Sequence, residues 1–339
     1  MNLFKKLCRT AAAGLCAFLI LCVLSLCYFQ RPMYLPSEFG NTDFRWPAGG
    51  RWLQMIEGIS WGQFDQWGFN NPQVVENPEI LVLGSSHMEA TYVRQSQTMA
   101  QQLQGLLGDR GQVYNMGISG NHLPKSLQYL PATMEIFEQP PRLIIIEAQS
   151  LEMSDWAVGT ILDRSIPSIY SPRPRWQEAI LGLPYLRLLA KQQSLGIGDL
   201  LLPERSPGPA PEPEPALPMF PADAPEGSTY GPLFSEIQDL QQQYGTAFLV
   251  VYHPLESLQE DGSVRFLRDP YAEMFDYQAR QYGIGFLDLT EDFEELYRQE
   301  HRLPHGFATG EIGFGHLNRD GHRVAAQAVY RWITEKEGT

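Results

Sequence analysis

ILVLGSSHMEA, residues 80–90, decides how this chain is to be read. Four apolar residues run without a break into glycine, two serines and a histidine. An uninterrupted apolar run of strand length, with no alternation, suits a parallel strand covered on both faces. Gly-Ser-Ser after it can turn the chain and cap a following helix. It can also expose a serine at the carboxyl end of a parallel strand, where open α/β sheets gather their chemistry.

The rest of the chain repeats the pattern. Apolar runs recur at Leu143–Ile146, Ala247–Tyr252 and Ile284–Leu287, with a weaker one at Val113–Tyr114. Between them lie TMAQQLQGLLG, LPKSLQYLPATMEIF, PLFSEIQDLQQQYG and DPYAEMFDYQARQYG, helical in character and in several cases closed by a glycine suited to a C-terminal cap. The last helix is expected in HLNRDGHRVAAQAVYRWITEKE, opening at His316. Alternation of strand and helix predicts one doubly wound α/β/α domain of three layers around a mostly parallel five-stranded sheet, over residues 79–339. Two interruptions are expected. Residues 151–200 suggest an inserted helical subdomain. Residues 203–232, crowded with proline and acid, suggest a surface loop. Residues 30–78 read as an irregular aromatic lead-in packed on the domain.

Residues 11–29 form an uncharged apolar run preceded by Lys5, Lys6 and Arg9. Its length is that of a single membrane-spanning helix. The flanking cations place residues 1–10 in the cytoplasm and everything after Arg31 outside. A cleaved signal peptide is the rival reading, but the run is long for one and no A-x-A site follows. Leucine precedes Cys16, Cys22 and Cys27, which argues against a lipoprotein cysteine. All four cysteines lie at residues 8–27, so the part beyond has no disulfide, thiolate metal site or cysteine nucleophile. That part carries 22 basic against 39 acidic residues, and its surface repels nucleic acid. The resulting expectation is a protein of the bacterial cytoplasmic membrane, with one span and an extracytoplasmic domain.

Chemistry is expected at the carboxyl ends of the strands. The first offers Gly84-Ser85-Ser86-His87, the second Asn115-Met-Gly117-Ile-Ser-Gly120-Asn121, the third Glu147-Ala-Gln149-Ser150, and the chain end Gly315-His316-Leu317-Asn318. A serine, a histidine and flexible glycine turns are what acyl transfer needs: a base for the hydroxyl and donors for the oxyanion. His322, with Asp320 two residues before it, is the competing base, but it lies more than a turn further on and is expected to face elsewhere and pack. His253 ends the fourth strand beside a structural proline. His301 and His305 sit in a glycine-rich loop that shapes the pocket. The spacing His305, His316, His322 is no metal signature, and no metal or other cofactor is expected.

These blocks resemble the SGNH (GDSL-type) hydrolase superfamily. Gly84-Ser85-Ser86 is similar to its Gly-Asp-Ser block, with Ser85 in place of Asp. Residues 115–121 resemble its second block, and Gly315-His316-Leu317-Asn318 its last. The resemblance implies a flavodoxin-like sheet, Ser86 as nucleophile, His316 as base, and N–H groups of Ser86 and Gly120 around the oxyanion, with His87 and Asn121 lining the pocket. Two departures stand out. The Gly-x-Asn-Asp block is absent, leaving the Gln149 amide as its nearest replacement. Gly313 stands where the family carries its aspartate, leaving Glu311 to orient the imidazole, or a Ser–His dyad. The anchored branch of the family acts on cell-envelope polysaccharides beside a membrane-bound O-acyltransferase. That implies an anchored acyltransferase or esterase for envelope glycans. A general extracytoplasmic esterase or lipase, and a non-catalytic scaffold binding glycan or the O-acyltransferase, are the alternatives.

Overall fold

A computed structural model describes residues 2–28, 46, 48–54, 57–153, 155–162, 230–259 and 261–337. Helix α1 (Asn2–Tyr28) comes first, then a hairpin of β1 (Arg51–Gln54) and β2 (Ser60–Gln63). Next come β3 (Ile80–Leu83), α2 (Ser86–Glu89), α3 (Met99–Leu107), β4 (Val113–Asn115), α4 (Leu123–Met134), β5 (Leu143–Ala148) and α5 (Asp155–Leu162). The second half holds α6 (Gly231–Tyr244), β6 (Ala247–Tyr252), β7 (Leu255–Leu258), β8 (Val264–Leu267), α7 (Ala272–Gln281), β9 (Gly285–Asp288), α8 (Thr290–Glu300), β10 (His305–Gly306), β11 (Ile312–Leu317) and α9 (Arg319–Glu337).

The main sheet has the order β4-β3-β5-β6-β9. All four pairings are parallel, with Ile80 opposite both Val113 and Leu143. Numbered within the sheet this is 2-1-3-4-5, the flavodoxin-like order. Period-two alternation of side chains splits each strand between two cores. Leu81, Ile144, Ile146 and Val250 pack with α4, α6 and α7 on one face. Ile80, Val82, Ile145 and Leu249 pack with α3, α8 and α9 on the other. Both faces are thus covered, which is why the strands read as unbroken apolar runs; each fully buried aliphatic contributes about 1.5–3 kcal/mol.

The expected strands all form. Several boundaries differ. The last helix opens at Arg319, not at His316, because Asn318 Oδ1 accepts the N–H groups of Asp320 and Gly321 while His316 and Leu317 stay in β11. The described end of the lead-in is not irregular throughout, since it contains the β1–β2 hairpin. Helix α6 begins inside the stretch assigned to the proline-rich loop, with Gly231 and Pro232 in its first turn. Of the expected insertion, residues 151–153 and α5 are described; residues 163–229, which hold most of the rest and most of the proline-rich stretch, lie outside the described residues. Helix α1 carries exposed apolar side chains such as Leu15, Leu19 and Ile20. Among the described residues no helix is long and apolar enough to cross a membrane; the side chains of residues 22–28, within the apolar run, lie outside them.

His322 packs, as expected. It is buried, and its Nδ1 accepts the N–H of Met99 at 3.2 Å, docking α9 on α3. Burial depresses its pKa to about 3. The unfolded chain, with an ordinary imidazole, takes up a proton near pH 6.5 that the native ring refuses. Stability is therefore complete above pH 6.5 and falls as pH drops towards 3, by on the order of 4–5 kcal/mol for this group. Urea unfolding at pH 7, 5 and 4 measures the loss, and His322→Asn flattens the curve.

Candidate active site

Local hydrogen bonding builds the turn after β3. Ser85 is the N-cap of α2, and its Oγ accepts the His87 N–H at 3.2 Å. Ser85 in turn donates its own N–H to Glu147 Oε2 at 2.8 Å. Asn115 Nδ2 donates to the Met88 carbonyl at 2.7 Å, and Asn70 Nδ2 to that of Glu89 at 2.7 Å. A side chain on Gly117 would overlap the backbone of Met88 and Glu89, so that glycine lets the loop after β4 close on the turn. Ser86 is left at the first position of α2 with its hydroxyl free of these duties.

That hydroxyl meets His316. Ser86 Oγ lies 2.8 Å from His316 Nε2. The other ring nitrogen, Nδ1, lies 2.9 Å from Glu57 Oε2, and Glu57 Oε1 accepts the His316 backbone N–H at 2.6 Å. Glu57 is the acid that the sequence reading missed. It stands in the loop between β1 and β2, in the lead-in, 259 residues before the histidine it holds. Glu311, the residue expected there, is exposed and has no contact with His316 among the described interactions. The arrangement is thus a serine–histidine–carboxylate row rather than a dyad.

The Glu57 loop is pinned to the site. Gly58 donates its N–H to Thr309 Oγ1 at 2.9 Å, and Ser60 Oγ donates to the Thr91 carbonyl. The Tyr92 ring stacks on the imidazole of His316, centroids 3.6 Å apart and 15° from parallel. Burial, with the Glu57 and Glu89 carboxylates nearby, pushes the Tyr92 hydroxyl well up, so it stays protonated. Gly315 has φ +91°, and a Cβ there would run into Glu57 Oε1. Gly315→Ala is expected to cost about 1–3 kcal/mol from the strained backbone. It should also push Glu57 off the ring, lowering turnover at least tenfold; urea midpoints and kcat measure the two losses separately.

The other expected residues fall as follows. Gly120 has φ +83° and open space where a side chain would point. Among the described backbone hydrogen bonds, neither its N–H nor that of Ser86 is donated to a carbonyl. Asn121 is buried, its N–H donated to the Ile118 carbonyl. Gln149 places its amide 3.2 Å from His87 Nε2. His87 Nδ1 accepts the Leu317 N–H at 3.2 Å. Burial first, and the neighbouring His253, His305 and His316 after it, hold the His87 pKa well below the usual range, which favours a neutral ring beside His316. His253 and His305 are buried and pair with each other and with Glu147 and Glu256. Ile59 and Trp61, two and four residues after Glu57, and Phe314 and Ile312, two and four before His316, are apolar side chains 57–61% exposed.

No family model matches the chain. No curated protein matches it either. Solved structures do. A catalytic mutant of Axe2, an acetylxylan esterase from Geobacillus stearothermophilus, aligns over 77% of this chain and 95% of its own, with 14% identity and a TM-score of 0.40. The inhibitor-bound aryl esterase of M. smegmatis aligns over 76% of this chain and 98% of its own, with 15% identity and a TM-score of 0.35.

Proposed function

We propose that this protein is an SGNH-type serine esterase or O-acyltransferase, held at the outer face of a bacterial cytoplasmic membrane by residues 11–29 and acting on acyl esters of cell-envelope glycans. The observation that carries the reading is the row Ser86 Oγ, His316 and Glu57, with contacts of 2.8 Å and 2.9 Å at the two ring nitrogens. His316 Nε2 takes the Ser86 proton as Oγ attacks the ester carbonyl. Negative charge gathering on the carbonyl oxygen meets the N–H groups of Ser86 and Gly120. The imidazolium then protonates the departing alkoxide, leaving an acyl-serine. Water, or a glycan hydroxyl, gives its proton to His316 and takes the acyl group, and Ser86 is restored. Glu57 stays a carboxylate throughout, fixing the tautomer that presents the Nε2 lone pair to the serine.

Membrane attachment is supported by the exposed apolar side chains of α1 and the cations before them, and an acyl-bearing substrate by the exposed Ile59, Trp61, Ile312 and Phe314. A membrane-bound O-acyltransferase would be the partner that loads or receives the acyl group. The test is release or transfer of acetyl from an O-acetylated envelope polysaccharide by the full chain in lipid, set against hydrolysis of an aryl acetate. Turnover of both, lost in Ser86→Ala, is the expected result. A Ser86→Ala chain that restores envelope acylation in cells lacking the protein would overturn catalysis in favour of a scaffold.

A further inference from the structure

Beneath the Ser86 turn lies a second cluster that ester chemistry does not use. His253, just after β6, and His305, at the start of β10, are each 1% exposed. His253 Nδ1 and His305 Nε2 face each other at 3.2 Å. The outer nitrogen of each ring meets a buried carboxylate: His253 Nε2 lies 3.0 Å from Glu147 Oε1, and His305 Nδ1 lies 2.6 Å from Glu256 Oε2. Each carboxylate is held by one backbone N–H as well, Ser85 for Glu147 and His305 for Glu256.

Count the protons. With both outer nitrogens assigned as donors to their carboxylates, neutral rings leave both inner nitrogens with lone pairs that point at one another. One shared proton would fill the gap, adding a single charge against two carboxylates. A second cannot enter, because two N–H groups would then collide. A divalent cation accepts both lone pairs and matches both charges. The spacing also fits: nitrogens on a tetrahedral ion at about 2.0–2.1 Å stand ~3.3 Å apart. A carboxylate behind each imidazole is the arrangement that orients histidine ligands.

His87 brings a third nitrogen. The three ligand atoms lie within 4.8 Å of one another, and the His87 ring centre is 4.7 Å from that of His253 and 5.8 Å from that of His305. Its lone pair now takes the Leu317 N–H at 3.2 Å, a contact it exchanges for the ion. We propose that His87, His253 and His305 form a buried site for one divalent transition-metal ion of the zinc class, with Glu147 and Glu256 as the groups that orient two of the ligands. The ion sits behind the catalytic row and braces it, through His87 and through Glu147, which holds the Ser85 N–H.

The spacing of the three ligands in the chain hides such a site, since they come from three separate segments, helix α2, the turn after β6 and strand β10. The test is cobalt titration of the untagged full chain in detergent after chelator treatment. One equivalent of Co(II), with the intense visible absorption of a four-coordinate ion and displaced by Zn(II), is expected. His253→Asn and His305→Asn should abolish uptake. Glu256→Gln, a gentler change, should weaken it about 10–100-fold. Ser86→Ala should bind a full equivalent, so the site stands or falls apart from the esterase reading. A folded chain that takes up no cobalt overturns the proposal. So does uptake unchanged in Glu256→Gln and His253→Asn. A far-downfield proton resonance in a chain without cobalt uptake, lost in His253→Asn, would assign the gap to a shared proton instead.

Discussion

Ser86→Ala lowers kcat on an aryl acetate by about five to six orders of magnitude while leaving the fold intact. Both halves of that expectation come from the division of labour in the turn. Ser85 caps α2 and anchors to Glu147, and Asn115 and Asn70 hold the carbonyls of Met88 and Glu89. Ser86 contributes its hydroxyl to His316 alone among the described hydrogen bonds. Removing Oγ therefore removes the nucleophile and little else. His316→Ala should cost nearly as much, and the double variant no more than either single one, because the two groups act as a unit. Single-turnover kinetics with circular dichroism alongside provides the measurement. A Ser86→Ala enzyme within tenfold of the parent would mean that another nucleophile operates.

Glu57→Gln should lower kcat by about 10³–10⁴-fold. Its amide can still accept the His316 backbone N–H, so the loop keeps its place. At Nδ1, however, an amide neither stabilises the imidazolium nor enforces the tautomer that frees Nε2. Glu311→Ala, by contrast, should leave kcat within twofold, since that side chain is exposed and makes no described contact with the ring. The ratio of the two effects separates the Glu57 row from the sequence-based alternatives, a Glu311-oriented histidine or a bare dyad. Comparable losses in both variants would contradict the assignment.

The contrast between these two glutamates shows where sequence reading ends. Strands β3, β5 and β6 are legible because a parallel strand covered on both faces must be apolar throughout. Ser86 is legible because its Gly-Ser-Ser motif follows a strand end, and His316 because its Gly-His-Leu-Asn block comes last in the order. Glu57 carries no such mark. It belongs to a loop of the lead-in, and only the fold brings it to a histidine 259 residues away. Two local hints existed: the empty Gly313 where an acid was sought, and Gly315, whose missing side chain makes room for a carboxylate arriving from elsewhere. Helix α8 escaped for a different reason. TEDFEELYRQE is dominated by acid, and among its residues Phe293 and Leu296 are the hydrophobics that it buries. The β1–β2 and β7–β8 hairpins escaped because their four-residue sequences, RWLQ, SWGQ, LESL and VRFL, do not alternate in polarity, although the exposure of β1, β2 and β8 does.

The proposed mechanism turns on activation of Ser86 by His316 under the control of Glu57. Intact-mass labelling of the full chain with a fluorophosphonate tests it most directly. One adduct per chain is predicted, absent in Ser86→Ala and His316→Ala and formed much more slowly in Glu57→Gln. A folded parent chain that takes up no adduct, or an adduct that persists in Ser86→Ala, would contradict it.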